Sequence, residues 1–166
     1  MLSKAFAAQE GKEYEYKAKM MKSIIEMVGW PAKAIPASGF NLCISPEFPF
    51  KNELRSLNNA TAAGHKITVK TLTKLEDPNN NCQMVFLYQL TPQQQESVIK
   101  FYDKKPVLLL GDMDSFALRG GSMNFTHLNN VLAVTVNTDA MKNSELYIDL
   151  KSVDRITVIP QAKDLQ

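Results

Sequence analysis

Tyr14, Ala18, Met21, Ile25 and Val28 recur at three- and four-residue spacing, which predicts an amphipathic helix over "YEYKAKMMKSIIEMVGWP". Gly29 and Pro31 are placed to end it. "GFNLCIS" is a short apolar run and predicts a strand. "PFKNELRSLNN" sets Phe50, Leu54 and Leu57 on one side and predicts a second helix. "HKITVKTL" alternates with period two, as a half-covered strand does. "EDPNNN" is turn chemistry. "CQMVFLY" and "KPVLLLGD" are nearly continuous apolar runs, expected of strands covered on both faces. Between them "TPQQQESVIKFY" opens with Thr91 as helix cap and Pro92 in the first turn.

Strand and helix thus alternate from residue 39 to 111, which argues for a mostly parallel α/β sheet. Beyond it, "SMNFTHL" and "VLAVTVN" flank Asn129-Asn130, two residues that tolerate positive φ, and predict a β-hairpin. "DAMKNSELYIDLKSVDRITVI" reads as helical in part. The expected architecture is a single-domain, three-layer α/β sandwich with a mostly parallel central sheet and a C-terminal β-hairpin and helix. Its expected limits are a flexible tail at residues 1–12, the domain at 13–160 and a C-terminal tail at 161–166.

A chain of 166 residues suits one domain with a core large enough to fold without metal. Its net charge of +2 gives no clustered basic face, so nucleic acid is not an expected partner. Lys17, Lys19 and Lys22 alternate with Glu13, Glu15 and Glu26 and read as a solvated helix face. "KAFAAQE" contains Ala5-Phe6-Ala7, an A-x-A pattern without the apolar segment that precedes a cleavage site. It is either the end of a removed export signal or part of a plain tail. Cys43 and Cys82 stand too far apart in the chain for a C-x-x-C redox or zinc pair. A disulfide between neighbouring strands and two buried free thiols both remain open on this ground.

"LLLGDMDSFALRGGSMNF" holds the candidate chemistry. Asp112 and Asp114 at a strand end are similar to the nucleophile strand of haloacid-dehalogenase-type phosphatases. No acidic pair follows to hold Mg²⁺, and about 50 residues are too few for the rest of that domain. "LRGGS" lacks the Lys-Ser/Thr of a P-loop, and no G-x-S-x-G occurs. His65 and His127 have no third ligand at metal-like spacing and read as plain polar residues. Trp30 reads either as an anchor for the helix end or as an aromatic turned to a partner.

Together, "GWP", "FNLCISPEFPF", "CQMVFLY", "LLLGDMDSFALRGGSMNF" and "LAVTVNTDAMKNSELYIDLKSVDRITVI" resemble, in this order from about residue 13 to 159, the YfiR family of periplasmic proteins. "IDLKS" departs from the family's Ser-Ser before its final leucine pair, and a second cysteine pair found in some members is absent. The resemblance implies a periplasmic, non-enzymatic protein without a cofactor, with Cys43 and Cys82 joined. It also implies binding to the periplasmic domain of a membrane diguanylate cyclase (YfiN-type), repression of cyclic di-GMP synthesis, and relief by an outer-membrane YfiB-type lipoprotein. Members tend to be homodimers. The family-motif residues are Asp112, Phe116, Arg119, Gly120, Gly121 and Asn137. The two glycines are expected to give a tight backbone passage over a packed Phe116, with Arg119 orienting the loop through Asp112 or Asp114. Trp30, Ile35, Phe48 and Phe50 are the expected partner-binding side chains. The alternative is a periplasmic small-ligand module using the crevice at the strand ends near Ser45, Gln89 and Asp112.

Overall fold

In the computed structural model, residues 2–149 and 156–158 are described. Helix α1 (Leu2–Met27) leads into the short strand β1 (Val28–Gly29) and then β2 (Phe40–Ile44). There follow β3 (Thr61–Ala62), β4 (His65–Thr71), β5 (Met84–Tyr88), α2 (Pro92–Phe101) and β6 (Leu108–Asp112). The chain continues with β7 (Met123–Leu128), β8 (Val131–Val136), α3 (Thr138–Asn143), β9 (Tyr147–Ile148) and β10 (Ile156–Val158).

The main sheet has the order β10-β8-β7-β6-β5-β2-β4-β3. The run β4-β2-β5-β6-β7 is parallel throughout, β7–β8 and β3–β4 are antiparallel, and β10 adds parallel to β8. A separate ribbon joins β1 to β9. Successive side chains of a strand point to opposite faces, and the central strands sort accordingly. Phe40, Leu42, Ile44, Met84, Phe86, Leu108 and Leu110 pack under α1. Cys43, Val85, Leu87 and Leu109 pack against Val98 and Tyr102 of α2. The result is the expected three-layer α/β sandwich. It explains why β5 and β6 read as unbroken apolar runs.

Three expectations held, two from local signals and one, the disulfide, from the family resemblance. Thr91 caps α2, accepting from Gln94 N while the Gln94 side chain accepts from Thr91 N, a complete capping box. Asn129 and Asn130 both adopt positive φ, 50° and 62°, as a two-residue hairpin turn requires. Cys43 and Cys82 are joined in a disulfide with their Cα atoms 5.9 Å apart. The bridge ties β2 to the segment entering β5, its neighbour in the sheet.

Two expectations are corrected. Residues 2–12 are not a separate tail but the opening turns of α1, rich in Ala, Glu, Gln and Lys, all good helix formers. The segment 49–59 forms turns and a single 3-10 turn, Arg55–Leu57, rather than an α-helix. Leu54 and Leu57 are buried, but the backbone is drawn to β4: Asn59 N donates to Ile67 O, and Ile67 N donates to Ala60 O. The Asn58 side chain accepts from Val69 N. These bonds outcompete a short isolated helix, whose nucleation is costly. The C-terminal stretch is helical in part, as expected: its described residues form the short helix α3, then β9 and β10. The tail expected at 161–166 lies outside the described residues.

Candidate functional site

Strand β6 ends on Asp112, where the carboxyl ends of the parallel strands meet α1. Asp112 accepts from the Tyr14 hydroxyl at 2.5 Å and from Lys17 Nζ at 3.0 Å. Lys17 is only 4% exposed, and its ammonium lies 4.5 Å from the Tyr14 ring centre and 5.4 Å from that of Phe125. Glu13 stands 3.8 Å from Lys17 and holds His127 Nε2 at 2.8 Å. A chain of polar contacts therefore runs from the hairpin through α1 to the end of β6. Lys17 is not on a solvated face: it sits three residues from Tyr14 and four from Met21, on the same buried stripe. Its burial is tolerable because a carboxylate meets it there.

Above this cluster lie aromatic rings. Tyr14 stacks on Phe50 at 4.7 Å and meets Phe48 edge-on at 4.9 Å. Phe48 in turn meets Phe86 at 5.1 Å and Tyr88 at 5.3 Å. Phe48 is 1% exposed, so it is a core ring and not a surface for a partner. The Pro-Phe turn folds back over the sheet end, and that position buries it. Phe50, Trp30 and Ile35 are half-buried. Trp30 packs its edge on Phe40 at 5.0 Å and donates to Ile25 O at 3.4 Å, which anchors the end of α1.

The expected ligand crevice is partly closed. Ser45 is buried and its hydroxyl accepts from Tyr88 N. An open cleft of about 470 Å³ remains beside it, lined by Lys17, Gln89, Asp112, Asp114, Thr126 and His127 among others. Asp114 is exposed, while Asp112 already accepts from two side chains, so the two carboxylates do not share one reaction centre. Among the described residues no group of three His, Cys, Asp or Glu is placed to hold a metal ion.

Three phenolic hydroxyls near the core have raised pKa values. Burial is the main cause at Tyr14, reinforced by its hydrogen bond to Asp112. Burial also dominates at Tyr88 and Tyr102. These protons are held more tightly folded than unfolded, where the ordinary value is 10.0. Their contribution to stability is whole below about pH 10 and is lost as the pH rises toward the folded values. A fluorescence-monitored unfolding series from pH 8 to 12 is expected to show a flat region and then a fall setting in near pH 10. Stability unchanged up to pH 12 would contradict the assignment.

The loop after β6 is built around Phe116, which is fully buried. A Cβ on Gly111 would come within 2.5 Å of its ring, and one on Gly121 would overlap the ring more deeply. Gly120 has φ +115°, a conformation open to glycine. The two glycines thus serve different needs: one for backbone conformation, one for space. Phe116 O accepts from Arg119 N and Gly121 N, which closes the turn. Asn124 accepts from Ala117 N, and Asn137 donates to Ala117 O while capping α3 through Ala140 N. Ser122 accepts from Leu109 N, locking the strand that follows to β6. Sequence reading named Asn137 but missed Ser122, Asn124, Tyr14 and Lys17. Asp112 is engaged by Tyr14 and Lys17, not by Arg119, which is exposed on the loop. Gly121→Val is expected to cost at least about 2–3 kcal/mol through overpacking against Phe116. Thermal melts check it; a melting temperature equal to wild type would overturn the structural role.

Gly-Asp strand, Gly-Gly loop and Val-Asn step are thus one bonded unit within a disulfide-bridged, three-layer α/β domain, and that combination defines the class. The YfiR/HmsC-like family model matches residues 14–151, and the chain belongs to this family. The family is a regulatory, non-catalytic one. The fold is similar to that of a solved structure described as a conserved domain protein from Vibrio cholerae O1 biovar El Tor str. N16961. The TM-score is 0.53 at 12% identity, covering 87% of this chain and 59% of that one, a likeness of fold alone. The chain therefore spans less than two thirds of that protein's length. No curated protein matches the chain.

Proposed function

We propose that the protein is a periplasmic regulator that binds the periplasmic domain of a membrane diguanylate cyclase and represses cyclic di-GMP synthesis. An outer-membrane lipoprotein that sequesters it relieves the repression. The observation that carries this reading is the family match across residues 14–151, with the motif residues packed as one unit. The disulfide fits an oxidising compartment. Among the described residues no helix is long and apolar enough to cross a membrane. The regulator works by population shift: it binds one state of the cyclase domain more tightly than the other, and that difference in affinity limits the effect.

With Phe48 in the core, the half-buried Trp30, Ile35 and Phe50 remain as proposed contact residues. Arg119 and Asp112 are proposed to act through the loop they belong to. The test is titration of the purified protein against the isolated periplasmic domains of the cyclases encoded in the same genome. Saturable binding to one of them is expected, weakened by alanine at Trp30 or Ile35. Binding to none of them contradicts the proposal. The open cleft of about 470 Å³ favours a second reading, a small-ligand module without a cyclase partner. Binding of a metabolite in the absence of any protein partner supports it.

A further inference from the structure

Strand β7 outruns one of its neighbours. Its pairing with β6 stops at Gly111–Asn124, whereas its pairing with β8 continues to Leu128–Val131. The chain leaves β6 after Asp112. Among the described residues no strand therefore flanks residues 125–128 on the β6 side. This overhang is about 13 Å long at 3.3 Å per residue. Leu128 and Val131 close the two-residue Asn129-Asn130 turn, so they exchange both main-chain bonds with each other. Main-chain groups alternate in direction along a strand, so Phe125 and His127 turn theirs toward the open edge. Phe125 O already accepts from Asn124 Nδ2. The N–H and C=O of His127 have no strand partner there. Its side chain does not cover them, because it reaches to α1 and meets Glu13 Oε1 at 2.8 Å.

An unpaired edge of this kind is a template for another strand. Here it forms one wall of the open cleft of about 470 Å³, with Lys17, Gln89, Asp112 and Asp114 around the rest. The cleft is acidic, although the whole chain carries +2. Lys17 is committed to Asp112, and Asp114 is exposed and makes no ion pair among the described residues. Free main-chain groups beside an unmatched carboxylate suit an extended peptide that carries a basic side chain.

We propose that the overhanging edge of β7 receives an extended segment of a protein partner, added as a short strand with a lysine or arginine directed at Asp114. Main-chain bonds to His127 seat the segment, and the carboxylate selects its charge. The occupant is thus a protein segment rather than a metabolite, and the site stands independently of the cyclase assignment.

The probe is a fluorescein-labelled, acetylated and amidated heptapeptide of alternating valine and lysine, titrated against the full chain by fluorescence polarisation. Saturable binding is expected, weakening as salt rises. Two N-methylated forms, each blocking the amides along one edge of the peptide, separate main-chain pairing from charge. One is expected to bind at least about tenfold more weakly and the other like the parent. Asp114→Asn is expected to weaken binding by up to about fivefold. His127→Pro removes the free N–H without touching a bond to β8, and is expected to bind more weakly than His127→Ala, which keeps it. Should His127→Pro melt early, the N-methylated pair decides. No saturable binding overturns the proposal. So does equal binding of both N-methylated forms and the parent, which leaves only a charge contact. Free lysine binding as tightly as the peptide assigns the cleft to a small cation and also overturns it.

Discussion

Asp112→Ala is expected to lower the free energy of unfolding by about 3–5 kcal/mol, because it strands a buried ammonium. Lys17 is 4% exposed and Asp112 is its near partner at 3.0 Å; Glu13 at 3.8 Å offsets only part of the loss. The Tyr14 hydroxyl loses its acceptor in the same step. For a chain of this size the melting temperature is expected to fall by roughly 10 °C. The double variant Lys17→Met, Asp112→Leu removes both charges together and is expected to recover most of the loss, since a buried ion pair is commonly replaceable by apolar side chains. Differential scanning calorimetry separates the cases. If Asp112→Ala melts with the wild type, the pair is not holding α1 to the sheet. If the double variant is as unstable as the single, the cost comes from packing and not from the stranded charge.

The second large effect concerns the bridge. Cys43 and Cys82 are 39 residues apart in sequence, and both are buried. In the chain-entropy model a loop of that size is worth about 4 kcal/mol. Replacing both cysteines by serine is therefore expected to lower the melting temperature by roughly 8–16 °C. Two buried hydroxyls without their own partners add to that loss. Intact mass after alkylation, with and without reductant, checks the bridge itself. Two alkylated thiols in freshly isolated, unreduced protein would contradict it.

What the sequence made legible follows from which interactions are local. The runs of β5 and β6, the Thr91 capping box and the Asn129-Asn130 turn are each specified within a few residues, and each stands where the pattern put it. The role of Gly121 was half legible: two adjacent glycines announce close approach, but only the fold shows that the approaching group is Phe116, five residues earlier. Lys17 was misread because a lysine among alternating charges looks solvated. Its partner Asp112 lies 95 residues away. The stripe Tyr14, Lys17, Met21, Ile24, Val28 was present in the sequence, and a single cation within it was the one available hint. Phe48 was misjudged for a similar reason. An aromatic in a Pro-Phe turn looks exposed until the turn folds over Phe86 and Tyr88. The 49–59 segment carries a helical spacing, but β4 offers its backbone better partners than a short helix would.

Asp112 and Phe116 stand four residues apart, one at the end of β6 and one in the loop after it, yet serve opposite faces of the sheet: Asp112 grips α1, while Phe116 packs with the α2 side.

The measurement that tests the proposed role in cyclase control most directly is cellular cyclic di-GMP in a strain lacking the gene, compared with the same strain complemented by the exported protein. The account predicts a rise on deletion that complementation reverses. An unchanged level, under conditions where the protein is expressed, would contradict it and move the assignment to a ligand-binding module.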